Sequence, residues 1–269
     1  MVTNYEDEET QYFYCDESGF SKNEMYGPKE ENLVICYITA RPNIITNFFE
    51  EIKQYKAGSF EGAELINKME SDAIIRNQIK QILENYKDKI KISCDIFKYA
   101  ELKQKIKNKK RLSFHDHPIE NGKMGFLVRA YCHIFWSIIE QNFKNKNDKI
   151  ELFLDQVDPR VKQSLEYHTK NQIGARVSIK MRGEENLPNY GENGVFSADF
   201  FAALMRKNIE ENCFNDIISI LQIIVYKQNI FLDKDNNYIQ NIENLSTGII
   251  TSSSITAYNS FTNPKNNRF

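Results

Sequence analysis

Apolar and polar positions along this chain follow two periods, one of strands and one of helices. Residues 11–17 and 149–155 are short runs that are apolar on both faces, the pattern of central strands in a covered sheet. Residues 32–40, 90–97 and 175–181 read as further strands, with Ile90, Ile92, Cys94 and Ile96 alternating in the second of these. Residues 11–17 and 32–40 can close a hairpin across the loop from Gly19 to Asn32. Residues 43–56 place Ile44, Ile45, Phe48, Phe49 and Ile52 at helical spacing, and Ala57-Gly58-Ser59 breaks that helix. Residues 69–87 put Ile74, Ile75, Ile79, Ile82 and Leu83 on one face of a second helix. A lysine-rich helix or connector at 99–110, a long helix at 122–143, a helix starting near Pro159 and one at 195–209 follow. Residues 183–194 read as a Gly/Pro/Asn/Glu loop, and 214–232 fit helix or strand. Strands first, then helix–strand alternation, predict an α/β fold: a mixed β-sheet flanked by helices. The main domain is expected over residues 1–232, with 233–269 a polar Asn/Ser/Thr-rich C-terminal appendage.

Three acids sit where this pattern makes them costly. The strand Tyr12-Phe13-Tyr14-Cys15 runs into Asp16, and Ile150-Glu151-Leu152-Phe153-Leu154 runs into Asp155. Asp199 lies inside a helix that is apolar almost all round, with the small residues Ala202 and Ala203 sharing its face. Singly, Asp16 could be turn chemistry in Asp-Glu-Ser-Gly, and Asp155 could cap the helix that follows. Together they point elsewhere, because a buried carboxylate must be paired or bind a metal. If the two strands lie side by side and parallel, Asp16 and Asp155 emerge at one C-terminal edge, where open α/β sheets place ligands. A shared cation site is then expected, and without the cation at least one of these carboxyls should titrate high.

Composition narrows the setting. The 269 residues carry a net charge of -2, which argues against a basic nucleic-acid coat but not against a local groove. Five scattered cysteines without a Cys-x-x-Cys fit small buried hydrophobes in a reducing, cytoplasmic compartment. The N-terminus is acidic and unlike a signal peptide, and the apolar stretches are cut before membrane-spanning length.

The quoted segments resemble a known family. Tyr14-Cys15-Asp16-Glu17-Ser18-Gly19, Phe60-Glu61-Gly62-Ala63-Glu64-Leu65, Leu152-Phe153-Leu154-Asp155 and Ser197-Ala198-Asp199-Phe200-Phe201-Ala202-Ala203 look like the motifs of the domain of unknown function 3800 family. In the second motif Glu61 stands at a usually basic position and Ala63 at a usual serine. The resemblance implies a ribonuclease H-like fold with two divalent cations, Mg2+ or Mn2+, about 4 Å apart. It implies that Asp16 bridges both cations while Asp155 and Asp199 each hold one side, with Glu64 or Glu17 as a fourth carboxylate. The implied activity is hydrolysis of DNA or RNA, in bacterial defence or a mobile element. The alternative is a catalytically inert module on the same fold that binds nucleic acid or a protein partner.

Two other clusters carry possible chemistry. The run from Lys103 to Arg111 holds Lys105, Lys107, Lys109, Lys110 and Arg111, which is a solvated helix face or a contact to a phosphate backbone. Lys180 and Arg182 could add to it. His115 and His117 flank Asp116 in a polar loop ended by Pro118; either could act as general base, or both could hold zinc in a different hydrolase. No partner Cys or His follows them at ligand spacing.

Overall fold

The computed structural model describes residues 10–19, 32–56, 61–98, 149–156, 159, 162–163, 165–166, 177–221 and 223–227. Among the described residues six strands form one mixed sheet: β1 (Thr10–Ser18), β2 (Asn32–Thr39), β3 (Lys91–Lys98), β4 (Lys149–Leu154), β5 (Val177–Met181) and β6 (Ile223–Lys227). Their spatial order is β5-β4-β1-β2-β3-β6. The β1–β2 and β2–β3 pairs are antiparallel, whereas β4 and β5 run parallel to β1, and β6 runs parallel to β3. The expected α/β architecture, a mixed sheet flanked by helices, is therefore present.

Among the described residues four helices cover one face: α1 (Pro42–Lys53), α2 (Gly62–Ser71), α3 (Ala73–Tyr86) and α4 (Asn189–Glu211). A short helix, α5 (Asn215–Ile218), leads into β6. Alternation along each strand decides what that helical face meets. Tyr14 of β1, Cys36 and Ile38 of β2, Cys94 of β3 and Phe153 of β4 join the helices in one core. The opposite face is shielded too, since Phe13, Cys15, Leu33, Ile35, Leu152 and Leu154 have no exposed surface. This two-sided cover explains why β1 and β4 carry apolar residues at consecutive positions.

Local sequence accounts for most boundaries. Pro42 opens α1 at its first helical position, and Ile45, Phe48, Phe49 and Ile52 form its buried stripe. The single helix expected at 69–87 is two. Asp72 ends α2 and caps α3, accepting hydrogen bonds from the backbone N–H of Ile74 (2.8 Å) and Ile75 (3.2 Å). Ile74 lies off the α3 core stripe and is 70% exposed. The loop expected over 183–194 ends earlier, because α4 begins at Asn189. The ambiguous run from 214 resolves into α5 and β6. The segments expected as helices at 99–110 and 122–143, and the appendage at 233–269, lie outside the described residues. Among the described residues no helix is long and apolar enough to cross a membrane.

Candidate active site

Parallel pairing of β1 with β4 brings two of the three acids together. The register sets Cys15 beside Leu154, and the backbone N–H of Asp155 donates to the carbonyl of Cys15 at 3.2 Å. Asp16 and Asp155 thus leave the sheet at the same edge. They also share a face. Asp16 follows Tyr14 by two positions, Asp155 follows Phe153 by two, and the Tyr14 and Phe153 rings stack at 5.3 Å. Asp16 is 5% exposed, so this edge is no ordinary solvated turn.

Asp199 arrives from above the sheet on α4, which lies across β1, β2 and β4. The helix can come so close because of its glycines. A Cβ on Gly194 would sit 1.9 Å from Cδ1 of the Tyr14 ring, and one on Gly191 would sit 2.6 Å from Cδ1 of Phe153. Ala198, Ala202 and Ala203 continue the buried small surface. From the other side α2 presses its first residue against α4: a Cβ on Gly62 would be 2.7 Å from the backbone of Asp199 and Phe200. The Gly62 N–H donates to Asp199 Oδ2 at 2.6 Å, fixing the carboxylate at the start of α2.

The electrostatics follow from this crowding. Burial pushes the Asp16 carboxyl well above the carboxylate range, and the charges of Glu17, Asp199 and Asp155 push it further; the N–H of Glu17, donating at 2.8 Å, opposes them. Burial raises Asp199 from 3.8 to about 6; the Gly62 N–H and Arg182 lower it, while Asp155 and Glu61 raise it. Arg182 follows the end of β5 and sets its Nε 2.9 Å from Asp155 Oδ1. That N–H is not aimed along the line between them, so Oδ1 is buried without a hydrogen bond.

A pH dependence follows. Between 3.8 and about 6 the folded chain holds a proton on Asp199 that the unfolded chain has released. Stability of the metal-free protein therefore falls as pH rises through that window, and Asp16 acts in the same direction. At roughly 1.4 kcal/mol per pKa unit, the deficit from Asp199 reaches roughly 3 kcal/mol above the window. Urea unfolding in chelator across this range should show the parent losing ground to Asp199→Asn as pH rises. A parent that gains on the variant would mean that Asp199 is ionised by a partner in the fold.

The other expected site residues are placed as follows. Glu17 is adjacent to Asp16, so strand alternation directs it to the opposite face, although its charge still reaches Asp16. Glu64 is mostly exposed and pairs with Lys56 at 3.0 Å. Glu61, exposed at the N-cap position of α2 without a side-chain capping bond, has a charge that reaches Asp199 and is an acid that sequence reading did not single out. Its signal was its place directly before Gly62, the residue that touches Asp199. Lys105, Lys107, Lys109, Lys110, Arg111, His115 and His117 lie outside the described residues. A separate group, Glu70, Glu211 and Cys213, has ligand-type atoms within 4.8 Å of one another. It is largely exposed, and the Lys207 ammonium already contacts Glu70 at 3.2 Å and Glu211 at 2.5 Å.

The donor set of Asp16, Asp155 and Asp199 suits a hard divalent cation. Its atoms are all carboxylate oxygens, one of them buried without a hydrogen bond, and two of the carboxyls resist ionisation unless a positive charge joins them.

No protein-family model matches the chain. No curated protein matches it either. Among solved structures, the chain is similar to a chain in the PCNA:RNase HII complex from Archaeoglobus fulgidus, at 14% identity and a TM-score of 0.42, over 77% of both chains.

Proposed function

We propose that the chain is a divalent-metal-dependent nuclease that hydrolyses phosphodiester bonds of DNA or RNA, a ribonuclease H-like relative of the domain of unknown function 3800 family. The observation that carries this is the meeting of Asp16, Asp155 and Asp199 at one edge and face of the sheet, in a setting that opposes their joint ionisation. Asp16, Asp155 and Asp199 would hold the divalent cations, Mg2+ or Mn2+, which would stabilise the attacking and leaving oxygens of an in-line displacement.

The chain's own residues do the rest. The Gly62 N–H holds Asp199 in one orientation, and the β1–β4 ladder holds Asp16 and Asp155 in register. Glu61 serves as the fourth carboxylate, ahead of Glu64, which is engaged by Lys56, and of Glu17 on the other face. The basic run from Lys103 to Arg111 would track the phosphate backbone, and His115 or His117 would accept a proton from the attacking water.

Purified protein offered a panel of single- and double-stranded DNA and RNA should cleave with manganese and stop in chelator. Asp16→Asn should lose more than about a hundredfold of that rate. Glu61→Gln should weaken manganese binding, and Glu64→Gln should leave it unchanged. If the whole panel stays intact and calorimetry detects no manganese uptake by a folded protein, the inert binding module takes the place of the enzyme.

A further inference from the structure

Among the described residues, Arg182 is a cation in direct contact with one of the three acids. It follows the last residue of β5, and Met181 pairs in register with Leu154, so the turn sets Arg182 beside Asp155. Its guanidinium lies 5.0 Å from the centre of the Phe196 ring, which in turn stacks on Phe49 at 5.5 Å. Phe196 is on α4, one turn before Asp199. The charge of Arg182 is felt at Asp199 as well as at Asp155, and its side chain is 32% exposed. A planar, permanently charged group is thus held on an aromatic platform with one edge against a carboxylate and part of its surface open to solvent. The contact with Asp155 is made by Nε at 2.9 Å.

Such a group is poorly explained as a support for the fold. Its guanidinium meets the Phe196 ring and a carboxylate oxygen of Asp155, the latter without a well-aimed hydrogen bond. We propose that Arg182 is the resident counter-cation of this site, holding Asp155 until a divalent cation takes over that charge, and then contacting a phosphate of the bound strand. The proposal rests on the metal-site reading of Asp16, Asp155 and Asp199. Arg182 is a positioning residue for Asp155 in the metal-free protein. In the loaded protein its forked donors match a phosphate oxygen pair, which a lysine matches less well.

The signature is two effects of opposite sign. Removing the guanidinium removes a competitor for Asp155, so metal binds more tightly. It also removes a phosphate contact, so nucleic acid binds more weakly. Calorimetric titration of the full chain with manganese, and anisotropy of a labelled oligonucleotide with calcium present, measure the two in parent, Arg182→Gln and Arg182→Lys. Arg182→Gln should bind manganese on the order of tenfold more tightly. It should bind the oligonucleotide about fivefold more weakly. Arg182→Lys, which keeps the charge, should hold its manganese affinity within about threefold of the parent and lose part of the oligonucleotide affinity. Weakening of both affinities in Arg182→Gln would assign Arg182 a structural role and overturn the proposal, and so would no change in either. A parent that takes up no manganese would remove the metal-site reading itself. A parent that does, with variants that match it, would remove this proposal alone.

Discussion

In chelator at neutral pH, Asp199→Asn should melt no lower than the parent, and addition of manganese should raise the parent alone. The substitution keeps an oxygen that can accept the Gly62 N–H bond, so the contact between α2 and α4 survives. What it removes is one negative charge from a buried group that titrates near 6 in the fold. At neutral pH that charge is held against burial and against Asp155, so its loss should gain between about 1 and 3 kcal/mol. Metal reverses the ranking. A ligand at a hundred times its dissociation constant stabilises the protein that binds it by about 2.7 kcal/mol. The parent should therefore overtake the variant once manganese is present. Four thermal melts, each protein with and without metal, decide the matter. Equal metal-dependent shifts in both would mean that Asp199 is not a ligand.

Gly194→Ala should be among the most damaging single methyl additions in the described chain. The added carbon would lie 1.9 Å from the Tyr14 ring, which is itself stacked on Phe153 and fully buried. Neither ring has room to step aside, so α4 must lift from the sheet. Overpacking of a close-packed core usually costs 1 to 3 kcal/mol, and this case belongs at about 3 or above. For a chain of this size that corresponds to a fall in Tm of roughly 10 °C. The lift would also carry Asp199 away from Asp16, so metal binding should fail together with stability. Gly183→Ala is the control. Gly183 has φ +93 but nothing within 4 Å of an added Cβ, so only backbone strain of about 1 to 2 kcal/mol is expected, with metal binding intact. If the two substitutions cost the same, the close approach of α4 is not what places Asp199.

The contrast between Gly194 and Ala202 shows how far the sequence could be read. Asp16 and Asp155 were legible because apolar strands that run into acids have few explanations, and parallel pairing was the simplest way to bury both faces. Asp199 was legible because Ala202 and Ala203 share its face. Gly191 and Gly194 were not, since locally glycine signals a loop. Only the rings of Phe153 and Tyr14, distant in sequence, turn those glycines into the contact surface of α4. Asp72 carried the ordinary chemistry of a helix cap, yet the apolar period on both sides hid the break between α2 and α3. Glu64 pairs with Lys56 while the charge of Glu61 reaches Asp199, and both outcomes depend on how the start of α2 sits against its neighbours. Arg182 could be noticed as a charge, but its place beside Asp155 is a matter of sheet register, which a turn after an edge strand does not reveal.

The position of β6 bears on how this chain is made as well as on how it works. β3 pairs on one side with β2, its near neighbour in sequence, and on the other with β6, which comes from the far end of the described chain. During synthesis β1, β2 and β3 leave the ribosome early, while the partner that closes the outer edge of β3 is still untranslated. Through that interval a row of backbone donors and acceptors on β3 is open to the same row on another nascent chain. Edge-to-edge aggregation during translation is therefore this fold's point of exposure, and the rate at which ribosomes reach Ile223 sets how long it lasts.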